Sequence, residues 1–135
     1  VSLSLAGCLP TAEMYIVTTP QPVAQKVAQR AAYMAEKVRI TVKGVIENMS
    51  WFTGDDGARY ELFGAGGGDS LAKRLGVPLI GQVPLIPELR EGADHGRPVA
   101  KDPTSEAGAV FAEMARVLDV EMKPTKRRHR ELKII

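Results

Sequence analysis

The chain alternates compact apolar runs with longer segments in which apolar residues recur every three or four positions. Three runs, at residues 14–18, 40–46 and 79–83, are short and rich in β-branched residues, as expected of strands buried in a parallel sheet. Between the first two runs, the spacing predicts an amphipathic helix over residues 23–38. Its predicted buried face holds Val23, Val27, Ala31, Met34 and Val38. Strand, helix and strand in this order indicate a right-handed crossover between parallel strands.

A hairpin and further helices are predicted after the second strand. Aromatic and apolar residues between positions 50 and 63 flank the turn sequence Gly54-Asp55-Asp56-Gly57, which is typical of a β-hairpin inserted into the α/β order. The next helix begins at the end of a glycine run and stops at Gly76, where glycine supplies a left-handed cap. A short helix follows at residues 88–94.

Two pairs of a capping residue and a proline predict where the outer helices begin. Thr19-Pro20 precedes the first helix, and Asp102-Pro103 precedes the last. The last helix should dock on the sheet through its apolar face, which consists of Ala107, Val110, Phe111, Met114, Val117 and Leu118. The first nine residues alternate apolar and small side chains, so their pattern fits a strand and a helix equally.

Composition indicates a small protein of a reducing compartment. With 135 residues, of which 44% are hydrophobic, the chain is expected to form one domain or part of one. The single cysteine, Cys8, cannot form an internal disulfide and is too little for a structural zinc site. Since no apolar run is long enough for a transmembrane helix, we expect a cytoplasmic protein.

Basic charge is concentrated at the C-terminus. The last fifteen residues contain six basic and two acidic side chains, whereas the remainder contains 12 basic and 14 acidic ones. We therefore expect one domain over residues 1–119 and a basic, disordered tail over residues 120–135. Such a tail suits contact with nucleic acid or lipid, but no aromatic residues are interleaved with its charges. A solvated tail is the favoured interpretation.

The glycine run before the middle helix resembles a phosphate-binding loop only superficially. Gly64 and residues 66–68 would expose backbone N–H groups at a helix N-terminus, which favours anions. A phosphate loop also needs Lys followed by Ser or Thr, but here Asp69-Ser70 follows, and Asp69 would repel a phosphate. A structural turn and helix start is the better interpretation.

Candidate ligand contacts lie at the carboxyl ends of two predicted strands. Asn48 ends the second strand, and Val83-Pro84-Leu85 follows the third. Open α/β sheets bind ligands at this edge, and an amide can both donate to and accept from an adenine edge. The alternatives are that Asn48 caps the following turn and that Val83-Pro84-Leu85 is a plain loop.

Other polar residues do not suggest a catalytic or metal site. Asp55 and Asp56 are adjacent in a glycine-flanked turn, so their carboxylates should diverge into solvent. His95 lies in a polar loop and His129 lies in the basic tail, each without a partner typical of catalysis.

Several short motifs resemble one known family. They are Thr18-Thr19-Pro20-Gln21, Gly44-Val45-Ile46-Glu47-Asn48-Met49-Ser50, Phe63-Gly64, Leu75-Gly76-Val77-Pro78, Val83-Pro84-Leu85, Arg90-Glu91-Gly92 and Gly96-Arg97-Pro98. Together they resemble the Mrp family, ATP-binding iron-sulfur cluster carriers among the deviant-Walker P-loop ATPases and relatives of MinD, ParA and the nitrogenase iron protein. The resemblance covers residues 1–118.

The resemblance implies the C-terminal half of a P-loop NTPase domain of the SIMIBI type, a parallel sheet with flanking helices and an inserted hairpin. It implies an ATP-binding homodimer that delivers clusters to apo-protein acceptors. It assigns the adenine contacts to Asn48, Val83, Pro84 and Leu85, and it implies that residues 1–9 are helical.

The sequence departs from the family in two respects. The phosphate loop and the magnesium-linked aspartates of the family lie upstream of the matched region, so ATP and Mg²⁺ would be held through the missing N-terminal half. The family's Cys-x-x-Cys aligns with Gly54-Asp55-Asp56-Gly57, where no thiolate exists to hold iron. A cluster is therefore not expected on this hairpin.

Three hypotheses follow. The first is an Mrp-type carrier or assembly ATPase without the bridging cysteines. The second is a MinD- or ParA-like ATP-dependent dimerisation switch that acts without a cluster. The third is a truncated domain with no activity of its own, so whether the chain is an ATPase is open.

Overall fold

The computed structural model describes residues 7–8 and 12–122, and its centre is a three-stranded parallel sheet. The strands are β1 (Glu13–Thr18), β2 (Thr41–Asn48) and β5 (Leu79–Val83), in the spatial order β1-β2-β5. A separate antiparallel pair, β3 (Phe52–Thr53) and β4 (Arg59–Tyr60), forms the hairpin between β2 and β5. The predicted α/β class with a parallel sheet and an inserted hairpin is confirmed.

Four α-helices surround the sheet within residues 12–122. They are α1 (Pro22–Lys37), α2 (Gly67–Leu75), α3 (Pro87–Asp94) and α4 (Glu106–Arg116). A 3₁₀ turn at Val99–Lys101 precedes α4, and a π-helical turn at Val117–Glu121 continues it. Helix α2 ends as predicted, because Gly76 takes a left-handed φ of 66°.

The core has two parts. One part joins α1 and α2 to the sheet through Ile16, Ala28, Ala32, Val45, Leu71 and Ala72. The other part joins α4 to β5 through Ile80, Val83 and Met114, and the predicted apolar residues Val110, Phe111, Val117 and Leu118 pack around them. Gly81 lets α4 approach, because a Cβ atom there would lie 2.5 Å from Cγ of Met114.

The buried face of α1 differs from the prediction. Val23 and Val27 are 74% and 62% exposed, and Ala31 and Met34 are exposed as well. The buried residues are Ala28, Ala32 and Ala35, whose small side chains let the helix backbone approach the sheet closely. The bulky side chains consequently face away from the core.

Strand β1 is also less covered than predicted. Ile16 and Thr18 are buried against α1, whereas Val17, on the opposite face, is 58% exposed. Val17 lies in the wall of a cavity that it shares with Phe111 and Met114 of α4, which packs mainly on β5.

Both predicted cap-and-proline pairs were wrong by a few residues. Helix α1 begins at Pro22, with Gln21 at the N-cap, because Pro22 suits the first helical position as well as Pro20 does. Helix α4 begins after Ser105, whose hydroxyl accepts a hydrogen bond of 3.0 Å from the Gly108 N–H group. Asp102 instead accepts from the Thr104 N–H group within the preceding turn.

The chain ends of the domain are partly described. Val120 and Glu121 belong to the π-helical turn, two residues beyond the predicted domain boundary. Residues 123–135, which hold most of the predicted tail, lie outside the described residues, and so does most of the predicted N-terminal helix, of which Gly7 and Cys8 are helical. Among the described segments, none of the helices has the length and apolar character needed to cross a membrane.

Candidate functional site

The predicted ligand residues lie together at the carboxyl edge of the sheet. Asn48 and Val83 are register partners in β2 and β5. Just beyond them, the Ser50 N–H group donates to the Val83 carbonyl oxygen at 3.0 Å, and the Leu85 N–H group donates to the Trp51 carbonyl oxygen at 2.7 Å. The two strand ends and the loops that follow them therefore form one hydrogen-bonded unit.

A cavity of about 440 Å³ opens beside this unit. It contains all four predicted contacts, and its wall consists of Val17, Ile46, Asn48, Met49, Val83, Pro84, Leu85, Ile86, Leu89, Arg90, Phe111 and Met114. Asn48 and Arg90 are the polar residues among these. An apolar cavity of this size with an amide at its wall is suited to a flat, mostly apolar ring that offers polar groups at one edge.

Asn48 also holds the backbone at the cavity wall. Its side-chain oxygen accepts a hydrogen bond of 2.9 Å from the Met49 N–H group, and Met49 has a φ of 57°, a conformation that costs energy in a residue with a Cβ atom. The turn-capping role left open by the sequence is therefore present. The amide nitrogen and the second lone pair of the oxygen are still available to a ligand.

Glu47 is a buried residue of the site that sequence reasoning missed. Its side chain is 1% exposed, one carboxylate oxygen accepts from the Gly68 N–H group, and the other accepts from Gln82 Nε2 at 2.7 Å. The N-terminus of α2 thus already holds an anion supplied by the protein. The signal was an acidic residue directly after the apolar residues Val45 and Ile46 of β2.

This carboxylate decides the role of the glycine run. A Cβ atom on Gly68 would lie 2.7 Å from Cβ of Glu47, so glycine is needed for the helix to approach β2. Because Glu47 occupies the helix N-terminus, a phosphate has no place there. The structural interpretation of the glycine run agrees with this geometry.

The hairpin turn is closed by its own hydrogen bonds. Asp56 accepts from the Tyr60 hydroxyl at 2.6 Å and from the Ala58 N–H group at 2.9 Å. The hydrogen bond from Tyr60 is the main cause that lowers the pKa of Asp56, and the bond from Ala58 lowers it further. The hydrogen bond between Tyr60 and Asp56 also raises the pKa of Tyr60. The described residues include no group of three His, Cys, Asp or Glu side chains that could hold a metal ion.

The hairpin is anchored to α4 by one carboxylate. Oε1 of Glu106 accepts from the Trp51 indole N–H group at 2.8 Å and from the Thr53 hydroxyl at 2.9 Å. The Arg59 guanidinium lies 4.2 Å from the centre of the Trp51 ring. Glu106 therefore ties the hairpin to α4, and the hydrogen bond between Trp51 and Leu85 ties it to the loop after β5.

Other predicted or conspicuous residues lie elsewhere. His95 is exposed and its Nδ1 is 2.8 Å from the Glu91 carbonyl oxygen, Cys8 is exposed, and His129 is outside the described residues. A hollow of about 500 Å³, lined in part by Arg39 and Arg74, lies at the opposite end of α1 and α2 and contains none of the predicted contacts.

Comparison with known proteins identifies the family of the chain. Residues 1–119 match the family described as "ParA: NUBPL iron-transfer P-loop NTPase". The chain belongs to this family. The resemblance to the Mrp family, a group of cluster carriers with MinD-like relatives, is confirmed.

Curated relatives within this ParA/NUBPL family are named iron-sulfur cluster carrier proteins. The protein of Mycobacterium leprae is 40% identical over 125 residues, which cover 88% of this chain and 32% of that protein. The protein of Bacillus subtilis is 40% identical over 124 residues, which cover 90% of this chain and 35% of that protein. The chain thus spans about a third of the length of these relatives.

Solved structures show the same fold. A nucleotide-binding protein from Archaeoglobus fulgidus in complex with ADP is 32% identical, with a TM-score of 0.61 over 70% of this chain and 40% of that chain. The cell division ATPase MinD of Pyrococcus furiosus has a TM-score of 0.66 at 20% identity and covers 88% of this chain and 46% of that chain. The latter likeness establishes the fold alone.

Proposed function

We propose that this chain is the base-binding half of an Mrp-type ATPase that carries or assembles iron-sulfur clusters. The observation that carries the proposal is the cavity in which Asn48, Val83, Pro84 and Leu85 meet at the carboxyl edge of the sheet. The cavity lies where open α/β folds bind nucleotides. The ADP-bound relative and the cluster-carrier relatives support this assignment.

The chemistry of the cavity suits adenine. The Asn48 amide nitrogen would donate to a ring nitrogen, and the second lone pair of its oxygen would accept from the exocyclic amine. The apolar side chains would cover the ring faces. A guanine would instead present a carbonyl oxygen where adenine presents its amine, so the same amide favours ATP over GTP.

The described residues do not fit the phosphate end of the nucleotide. The N-terminus of α2 is occupied by Glu47, and the sequence contains no glycine-rich loop followed by Lys and Ser or Thr. Phosphate and Mg²⁺ would be held by an upstream half. ATP hydrolysis is therefore proposed for a longer protein that contains this chain, and the chain by itself would bind the base.

Asn48→Asp tests base recognition. The new carboxylate can still accept from the Met49 N–H group, so the turn is kept, but it cannot donate to adenine. We expect the preference for ATP over GTP, roughly 5- to 100-fold for a good bidentate contact, to be lost. Dissociation constants for both nucleotides, measured by NMR titration of the 135-residue chain, check this.

Asn48→Ala is the companion variant, since it removes both the turn contact and the base contact. Unchanged ATP affinity in Asn48→Asp would contradict the role of the amide. A wild-type chain that binds neither nucleotide would contradict base binding and favour the inactive-domain hypothesis.

The hairpin is proposed to hold no cluster. The sequence has one cysteine, and the thiolates expected at positions 54 and 57 are replaced by glycines in a turn closed by Asp56. Two chains would bring two thiolates, which is half of the four that a cluster usually needs. Cluster transfer by this protein would then require ligands from another segment or partner.

Anaerobic incubation with iron and sulfide tests this claim. We expect no stoichiometric iron in the desalted chain and no stable visible absorbance. In the double variant Gly54→Cys with Gly57→Cys, two copies of the chain would bring four hairpin thiolates, so we expect iron and absorbance to be retained. A stable, stoichiometric cluster on the unchanged chain would show that the cysteine argument is wrong.

A homodimer, and apo-proteins as acceptors, belong to the same proposal. Support comes from apolar surface on the hairpin side, where Leu62 is 60% exposed beside a groove formed with Phe52 and Leu85. The absence of hairpin thiolates also favours the second candidate, a MinD- or ParA-like dimerisation switch without a cluster. A stable cluster on the unchanged chain would exclude this second candidate, whereas absent iron agrees with both.

A further inference from the structure

The cavity contains one charged residue to which the proposed function assigns no role. Arg90 lies on α3, where it is the one basic residue among Glu88, Glu91 and Asp94. Its side chain lines the cavity that holds Asn48. Since the other described lining residues apart from Asn48 are apolar, Arg90 is the one cation among the described residues that a ligand in this cavity would meet.

Arg90 also lines a second hollow on the hairpin side. This groove, of about 470 Å³, is formed with Phe52, Leu62, Leu85, Ile86 and Pro87. Leu85, Ile86 and Arg90 are shared by the two hollows, so the Arg90 side chain lies along the wall between them. A side chain in this position can lay its aliphatic stem on apolar groups and keep its guanidinium at the opening.

The guanidinium of Arg90 is only weakly engaged. Its ion pair in the described part of the chain joins Nη2 to Oε1 of the adjacent Glu91 at 3.3 Å, with the two side chains 70% and 60% exposed. An exposed contact of this kind contributes little and does not hold the side chain in one place. The guanidinium can therefore turn towards a ligand at low cost.

We propose that Arg90 contributes to base binding by stacking its guanidinium on the face of the adenine ring whose edge contacts Asn48. The inference rests on the proposed function. The Asn48 amide would contact one edge of the ring, so the ring faces would contact the cavity walls that α3 and α4 form. A guanidinium is planar and weakly hydrated, so it stacks on aromatic faces in a way that an ammonium group does not.

The test compares adenosine with ATP on variants of the 135-residue chain. Arg90→Met keeps a stem of similar length and removes the guanidinium, so the wall between the hollows is preserved. We expect adenosine and ATP affinities to fall by the same factor, about 5- to 30-fold. Arg90→Lys, which keeps the charge without the plane, should restore only part of the loss.

Arg74→Met is the matched control. It makes the same substitution at an exposed arginine in the hollow at the opposite end of α1 and α2, and it should leave both affinities unchanged. Circular dichroism spectra of all variants verify that the fold is kept. Dissociation constants come from NMR titration with each ligand.

The outcomes separate this inference from the one on which it rests. A loss for ATP with unchanged adenosine binding would assign Arg90 to a phosphate, and unchanged binding of both ligands would make it a solvated side chain. If Asn48→Ala still weakens adenosine binding, either result overturns the stacking by Arg90 and leaves base binding in the cavity intact. If the wild-type chain does not bind adenosine, stacking and base binding are both overturned.

Discussion

Glu47→Ala is expected to lower the free energy of unfolding by about 3–4 kcal/mol, because two hydrogen bonds to a buried carboxylate are lost together. The Gly68 N–H group and the Gln82 amide would both lose their partner, and the side chain that fills the space between β2 and α2 would be removed. Stability of small domains is about 5–15 kcal/mol, so the loss is a large fraction of the total. Urea unfolding followed by circular dichroism measures it.

Glu47→Gln is the matched control. Its amide oxygen can still accept from Gly68, and its amide nitrogen can donate to the oxygen of a reoriented Gln82, so we expect a loss of only about 1 kcal/mol. If Glu47→Ala unfolded at the same urea concentration as the wild type, the carboxylate would not be holding α2 to the sheet.

Gly67→Ala is the second substitution with a large expected effect. A Cβ atom at this buried position would be forced against the backbone carbonyl oxygen of Pro20, and it would lie 2.6 Å from Nε2 of Gln25. Helix α2 cannot move away from the loop after β1 without disturbing the contact between Gly68 and Glu47. We expect a net loss of about 2 kcal/mol, even though alanine favours a helix by about 1 kcal/mol over glycine.

Ser70→Ala provides the comparison for Gly67→Ala. Ser70 is exposed in the same helix, so alanine there should leave stability unchanged or slightly increased. Thermal unfolding of the two variants side by side separates close packing from helix propensity. A Gly67→Ala protein that is as stable as Ser70→Ala would refute the close approach of α2 to the loop that follows β1.

Much of the site was predictable from the sequence because it lies at strand ends. The runs that became β2 and β5 were recognised by local composition, and parallel strands necessarily place their carboxyl ends at one edge. The strand pattern by itself therefore places Asn48 and residues 83–85 at the same edge of the sheet. Their contact with a nucleotide stays a prediction.

The parts that were not predicted depend on distant residues. Glu47 and Gly68 are separated by 21 positions in the sequence, and Trp51 and Glu106 by 55. Local periodicity has no information about such pairs. Arg90 resembled an ordinary exposed helix residue until the structure placed it on the wall of the cavity.

The sequence by itself determined the order of strands and helices, the left-handed end of α2 at Gly76 and the family of the chain, because each depends on neighbouring residues or short motifs. Only the tertiary structure decided which side of α1 is buried. That helix carries valines on one side and alanines on another, and the close approach of its backbone to the sheet selects the alanines. The tertiary structure also decided that the glycine run receives the Glu47 carboxylate, since a helix N-terminus attracts any anion and only the fold determines which one is adjacent.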